Sequence, residues 1–323
     1  KNIEKLIEYA ASHGKELYFP KGIYKITRDI DLSKINLPAL SNFTITGDKD
    51  GLVIFDGTSS ADRMLKVKNE QYNSKMNYVN INNIVFNNIG IEFNGPYKKG
   101  ISLNDNIFIN GKYTRKLDSS GNICEATMEP YIEVKNSSYS IEKNIFLRGN
   151  NYPGRGVSTY RTKNTNIQDN FFGKLENKDK AFKMLPEEVK NRLDLINSDE
   201  TLKLYEEQGN FLTCINNERH DKNMTIENNY IHMNDSREIE GIPKDALIKG
   251  IDGQRKDHLI YSKGYEGLNI VGNYFEGMEN GAAGGVKLRN GVGAYIGDNY
   301  FEDVPLLTYI YKDLTKEECK LYT

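Results

Sequence analysis

"IEKNIF" at 141–146 returns as "IQDNFF" at 167–172, and the same pattern runs through the chain: apolar, two polar, Asn, any residue, then an aromatic or Ile. The other copies are "INNIVF" (81–86), "LNDNIF" (103–108), "IENNYI" (226–231), "IVGNYF" (270–275) and "IGDNYF" (296–301). Asn106, Asn144, Asn170, Asn229, Asn273 and Asn299 hold the fourth place, and Ile84 takes it in the first copy. Short strands that recur with a turn residue at a fixed offset are the signature of a solenoid. A β-sandwich with chance similarity leaves the fixed place of Asn unexplained. In a stacked coil each turn lies about 4.8 Å above the last. A side-chain amide offers two donors and an acceptor, so amides stacked at one corner can bond to each other and to the bending backbone. Asn also tolerates the left-handed conformation that corners need.

The spacing of the asparagines gives the coil. It is 26 residues from Asn144 to Asn170 and again from Asn273 to Asn299. The 44 residues from Asn229 to Asn273 read as two short coils, and gaps of 38 and 59 imply loops or inserted segments. The largest insertion, 179–210, reads as two short helices, with Pro186 in the first turn of one and Ser198 as N-cap of the other. Such an excursion walls a groove, packs on a neighbour, or rides passively on the surface. At the N-terminus "IEKLIEYAASHG" (3–14) puts Ile3, Leu6, Ile7 and Ala10 on one helical face with Gly14 as a stop. Residues 1–14 are therefore expected to form a helix capping the open end of the first coil, where it would cover a bare sheet edge. "ELYFPKGIYKI" (16–26) then reads as strand, Pro-Lys-Gly turn, strand.

The chain has 323 residues and 36.9 kDa, and all of 1–323 is read as a single β-helix domain. A net charge of −2 and a pI near 6.2 provide no bulk basic field for nucleic acid, so attraction for an anion must be local. Mean hydropathy is −0.64, and no apolar run approaches the roughly 18–20 residues of a membrane span. The start at Lys1, without Met or an apolar signal core, suggests a processed or excised piece of a longer chain. Cys124, Cys214 and Cys319 have neither metal spacing nor a disulfide framework and read as buried or idle thiols. Trp is absent, so the 21 tyrosines would supply the flat faces for any sugar.

A helix followed by "LYFPKGIYKI" (17–26) and then by asparagine-bearing coils resembles the pectate-lyase-like right-handed parallel β-helix superfamily. The opening segment resembles that of phage tailspikes and secreted depolymerases. The resemblance implies an all-β, right-handed parallel β-helix, the N-terminal capping helix and the helical insertion being its only helices. It also implies an extracellular protein, secreted or on a virion tail, whose partner is a polysaccharide or teichoic-acid-like polymer. Tailspike β-helices are commonly trimers, so a homotrimer is compatible with it. Relatives include lyases, hydrolases, epimerases and inert tail parts, so chemistry does not follow from fold.

"GGVKLRNG" (284–291) sets Lys287 and Arg289 in a glycine-framed strand. Counting ten back from the asparagines gives Arg289 from Asn299, Lys263 from Asn273, Arg219 from Asn229 and Tyr160 from Asn170. In-register coils would stack these four. Val286 and Leu288 would then point inward, with Lys287 and Arg289 outward. Two stacked cations repel by about 1 kcal/mol at ~4 Å in water, so such a column makes sense against an anion such as a uronate carboxylate or a phosphodiester. The segment 261–301 resembles the catalytic coils of chondroitinase B and alginate lyases. The resemblance implies that Lys263, after Ser262, is the base and that Arg289, before Asn290 and Gly291, is the acid in β-elimination. In those enzymes acidic calcium ligands lie seven and five residues before the Lys. Here the positions are Lys256 and His258, so no calcium set is recognisable and no cofactor is expected. Lys287 could take the ion's electrostatic part.

Other candidates surround this pair. "NNERHD" (216–221) gathers Glu218, Arg219, His220 and Asp221, which read as an acid/base or metal set for phosphodiester hydrolysis or as a polar loop. A one-residue slip in register would bring His220 into the Lys263 column. His258 reads as a proton carrier near pH 7 or as a buried, hydrogen-bonded histidine. Tyr160 with Arg161, and Tyr261, are faces for a sugar ring or exposed strand residues. "ENGAAGG" (279–285) reads as a flexible approach to the cationic strand. Glu276 and Glu302 are 26 apart and hence stacked, either a hydrolytic carboxylate pair or a solvated edge, with the edge preferred. The expected function is depolymerisation of an extracellular anionic polysaccharide by β-elimination at uronates. Its catalytic set would be Lys263, Arg289, His220 and His258, with Tyr160, Arg161, Tyr261, Lys287, Arg219 and Glu218 binding substrate. The rivals are a tailspike-type hydrolase of a cell-wall glycan or teichoic acid, and a non-catalytic glycan-binding tail module.

Overall fold

In the computed structural model the repeat winds into nine right-handed coils that contribute one strand each to three nine-stranded parallel sheets. The structure describes residues 2–32, 41–57, 63–68, 76–95, 100–111, 113–117, 119–120, 123–128, 130–147, 155–199, 213–233, 247–248, 258–278 and 285–310. The first sheet runs from Glu16–Phe19 to Val292–Gly297, the second from Gly22–Ile26 to Tyr300–Glu302, and the third from Ile30–Asp31 to Leu306–Tyr309.

The corner between the first and second sheets explains the repeat. Each asparagine amide donates to the carbonyl oxygen of the next: Asn106 to Asn144 at 3.1 Å, Asn144 to Asn170 at 3.1 Å, Asn170 to Asn229 at 2.9 Å, Asn229 to Asn273 at 2.9 Å, and Asn273 to Asn299 at 3.0 Å. Each also reaches back to a main-chain carbonyl of the preceding coil, as Asn170 does to Ile141 at 2.9 Å. Ile84, which has no amide, gives its main-chain N–H to Asn106 at 3.1 Å, and the ladder starts there. The left-handed residue is not the asparagine but the one before it. Asn83, Asp105, Lys143, Asp169, Asn228 and Asp298 have φ of 53–57°, and Gly272 has 66°. A short polar residue or glycine suits this conformation, which accounts for the second polar place of the pattern.

The last place of the repeat fills the interior. Phe86, Phe108, Phe146 and Phe172 stack face to face with centroids 4.8, 5.0 and 4.3 Å apart. The place sequence reasoning left open faces outward from the second sheet, and it is apolar for a reason. Ile107, Ile145, Phe171 and Tyr230 form a second core with Leu185, Val189, Leu193 and Ile196. Burial of each such side chain stabilises by roughly 1.5–3 kcal/mol.

The terminal helix α1 (Ile3–His13) is stopped by left-handed Gly14, as expected, and is capped at its start by Asn2. It packs Ile3, Ile7, Ala10 and Ala11 into the main core, while Leu6, expected on that face, is 47% exposed. The insertion carries α2 (Lys178–Ala181) and α3 (Glu187–Ser198). Pro186 immediately precedes α3. Ser198 is the last residue of α3 rather than an N-cap, because its hydroxyl donates back to Leu195 O at 2.9 Å. The residues expected to form a helix after Ser198 lie outside the described residues. The helices pack on the solenoid's own second sheet.

The 44-residue step is one coil, not two, since Lys222–Glu227 pairs directly with Glu266–Val271. Within that step Leu247–Ile248 joins the hairpin Tyr113–Leu117/Ile123–Met128, which arises within the 38-residue gap. Cys214 is buried. The side chains of Cys124 and Cys319 lie outside the described residues. Among the described residues no helix is long and apolar enough to cross a membrane.

Candidate functional site

Strand alternation on the third sheet places every second side chain outward. Val286 and Leu288 are buried, while Lys287 and Arg289 lie at the partly exposed outer face. Lys263 and Arg289 are register partners on consecutive coils, and Tyr261 and Lys287 form the next outward pair. Arg289 Nη1 donates to the Tyr261 hydroxyl at 3.3 Å. The Lys287 ammonium lies 6.0 Å from the Tyr261 ring centre and 5.4 Å from that of Tyr309, within cation–π range. Burial pushes the Tyr261 phenol above its ordinary value, although the bond from Arg289 works the other way.

The column continues toward the N-terminus with a change of charge. Glu218, not Arg219, is the register partner of Lys263. The cause is local. Arg219 and His220 are both left-handed, with φ of 67° and 64°, so this corner holds one residue more than its neighbours. Eleven residues separate Glu218 from Asn229, whereas ten separate Lys263 from Asn273. The slip therefore runs opposite to the one that would have brought in His220. Arg219 is exposed at the corner, and His220 is held there by its N–H donating to Gly264 O at 2.7 Å. Asp221 turns inward and accepts from the Thr159 hydroxyl at 2.6 Å and from Thr162 N and Oγ1 at 2.7 and 2.8 Å. Burial raises its carboxyl, and those bonds oppose the rise. Glu218 at the groove and Asp221 thus face opposite ways.

A groove of about 490 Å³ opens beside Glu218 on the same face. Tyr160 and Glu218 line it, together with Glu133, Lys135, Arg155 and Asn94. Lys135 is the register partner of Tyr160, and Thr159 on Asn217 carries the register to the Glu218 coil. Two ion pairs span the lining: Lys135–Glu133 at 2.8 Å and Arg155–Glu218 at 3.6 Å. Sequence reasoning missed Glu133, Lys135 and Arg155. The alternation in "YIEVKN" (131–136) could have found the first two, since Ile132 and Val134 are buried. Arg161 is exposed beyond the groove, its guanidinium 5.1 Å from the Tyr160 ring centre. His258 is fully buried and stacks on Tyr261 at 5.2 Å, which removes it from the solvent side of the site.

Glu276 and Glu302 are stacked as expected, but on the second sheet. The edge is partly solvated, with the Glu302 side chain 36% exposed, but its carboxylates are partnered. Lys180 of the insertion bonds to both, Tyr230 donates to Glu276, and Tyr274 donates to Glu302. The Tyr274 and Lys180 contacts hold the Glu302 carboxyl below its ordinary value. Among the described residues no group of three or more His, Cys, Asp or Glu is placed to hold a metal ion. Lys256 and residues 279–284 of the glycine-rich approach lie outside them.

No protein-family model and no curated protein matches the sequence. Among solved structures, a PL6 alginate lyase in complex with a trisaccharide aligns over 93% of this chain and 57% of its own, at 15% identity and a TM-score of 0.43. The ORF18 protein of Geobacillus virus E2 aligns over 95% and 57%, at 12% and 0.35. The A-module of an Azotobacter vinelandii mannuronan C-5 epimerase aligns over 96% and 94%, at 9% and 0.32. The chain thus spans a little over half the length of the lyase it matches. With three parallel sheets, nine coils and an internal asparagine ladder, its architecture is a right-handed parallel β-helix.

Proposed function

We propose that the outer face of the third sheet cleaves an anionic polysaccharide outside the cell by β-elimination at a uronate unit. One observation carries the reading: Lys263 and Arg289 are register partners on that face, with Lys287 and Tyr261 forming the adjacent pair. In the reaction the uronate carboxylate lies against Lys287 and Arg289, which stabilise the negative charge that develops as the C5 proton leaves. The Lys263 amine takes that proton. The C4–O bond breaks, its electron pair leaving with oxygen, and the C5–H pair becomes the C4=C5 double bond. The leaving oxygen gains a proton from the Tyr261 hydroxyl, which Arg289 orients. Burial favours the protonated phenol, the form such a donor needs.

His258 is left with a packing part behind Tyr261 and His220 with a corner part. The hydrolytic reading loses support, because the stacked carboxylates Glu276 and Glu302 are engaged by Lys180 on another sheet.

The test is digestion of a panel of uronate polymers, followed by the ultraviolet absorbance of the conjugated double bond and by mass analysis of the products. Wild type should form unsaturated ends, and Lys263→Ala should lower the rate by roughly 10²–10⁴-fold, the usual worth of a general base. Chain shortening without unsaturation would replace elimination by hydrolysis. No shortening of any polymer would leave a binding module.

A further inference from the structure

We infer that Glu218 is a specificity residue: it bars a second carboxylate from the sugar unit next to the reacting one, so the polymer that fits this face has a non-acidic unit there. The inference rests on the elimination reading for the position of the reacting unit, but its own support is the charge pattern along the column.

On the C-terminal side of the site stand the cations Lys287 and Arg289, on the coil next to the base Lys263. One coil toward the N-terminus the sign reverses at Glu218, the direct register partner of Lys263. The groove beyond has two cations and two carboxylates in its lining, joined as Lys135–Glu133 and Arg155–Glu218, and so sums to zero charge. Its remaining lining is amide and hydroxyl, including Asn136, Ser158 and Tyr160. Those groups pair with sugar hydroxyls or an acetamido group without asking for charge. Coils repeat at about 4.8 Å, close to the advance of one pyranose unit in an extended chain. A glycan lying along the column therefore presents consecutive units to consecutive coils. A uronate over this pair of coils faces the Lys287 and Arg289 cations, whereas a uronate one unit away faces the Glu218 carboxylate. Like charges at ~4 Å in water weaken such a contact roughly fivefold.

The experiment varies charge at constant sugar and linkage. Polygalacturonate and alginate are each prepared intact and with about half their carboxyls methyl-esterified. Binding to wild type, Lys263→Ala and Glu218→Gln is measured calorimetrically at low and moderate salt, with circular dichroism as the check on folding. Wild type should bind the better-fitting backbone roughly fivefold more tightly in the half-esterified form, and the gap should narrow as salt screens it. Glu218→Gln should bring the ratio toward one, chiefly by strengthening the intact polymer. An Arg155→Gln variant, which leaves Glu218 without that partner, should widen it. Equal binding of both forms by wild type, an unchanged ratio in the Glu218 and Arg155 variants, or no binding of either backbone would overturn the inference. Unsaturated product is followed in parallel. Its absence, with the charge-dependent binding intact, would sink elimination and leave the assignment of Glu218 standing.

Discussion

Asn170→Ala removes the middle rung of the amide ladder, and the cost can be worked from its partners. The Asn170 carbonyl accepts from Asn144 N at 2.8 Å and Asn144 Nδ2 at 3.1 Å, and its amide donates to Ile141 O and to Asn229 Oδ1, both at 2.9 Å. Two neighbours keep an alternative. Asn144 Nδ2 still reaches Leu103 O at 2.8 Å, and Asn229 Oδ1 still accepts from the main chain of residue 170 at 3.0 Å. The Asn144 main-chain N–H loses its acceptor and sits in a fully buried residue. An orphaned buried donor costs about 1–3 kcal/mol, and each lost bond about 0.5–1.5 kcal/mol net. The expected loss is about 3 kcal/mol. Asn299→Ala is the control. It loses bonds from Asn273 N and Nδ2 and to Ile270 O, but it sits at the partly exposed end, where water replaces them, and about 1 kcal/mol should suffice. Urea unfolding followed by circular dichroism reads both through the midpoint at constant m. Costs within about 0.5 kcal/mol of each other would mean that burial of the ladder does not set its worth, and the account of the repeat would fail.

Three further outcomes can be checked. Gly277 has φ +88°, and a Cβ there would lie 1.8 Å from Met233 O, a main-chain atom that cannot swing aside. Gly277→Ala should therefore cost at least the ~1–3 kcal/mol of a strained backbone, read by thermal unfolding, and an unchanged midpoint would contradict the geometry. Burial works to raise the Glu4 carboxyl, but bonds from Thr27 N and Oγ1, both 2.7 Å, outweigh it and hold the carboxyl below its ordinary value. A depressed carboxyl stabilises above its unfolded value and stops doing so as pH falls through the folded one. Protection of α1 amides in hydrogen exchange should thus fall on acidification below the ordinary carboxylate range, and less so in Glu4→Gln. Tyr261→Phe should slow cleavage roughly a hundredfold and abolish an alkaline limb lying above the ordinary phenol value, because burial raises this phenol. An unchanged rate would return the proton to another donor.

The coils were legible because a recurring Asn is a cheap signal with one good physical explanation. The wrong coil count between Asn229 and Asn273 had the opposite cause. Loop length carries no periodicity, so 44 residues divide as easily into two turns as into one turn and a long loop. At the candidate site the sequence yields the Lys263–Arg289 pair, because both coils share the ten-residue step to their asparagines. It misplaces Arg219, because nothing in "NERHD" announces two left-handed residues in a row. The groove was out of reach for a further reason. Arg155 and Glu218 meet at 3.6 Å across 63 positions of chain, a contact that only stacking creates.

The extra corner residue in the Glu218 coil behaves like a vernier. It advances the third sheet by one place against the first, while Asn170, Asn229 and Asn273 stay in phase. A corner of this solenoid can therefore take up one residue more or fewer while the strands on either side keep their inward and outward faces and the ladder stays in phase. Chain length is then free to drift at such corners, where neither wall nor interior has to give way.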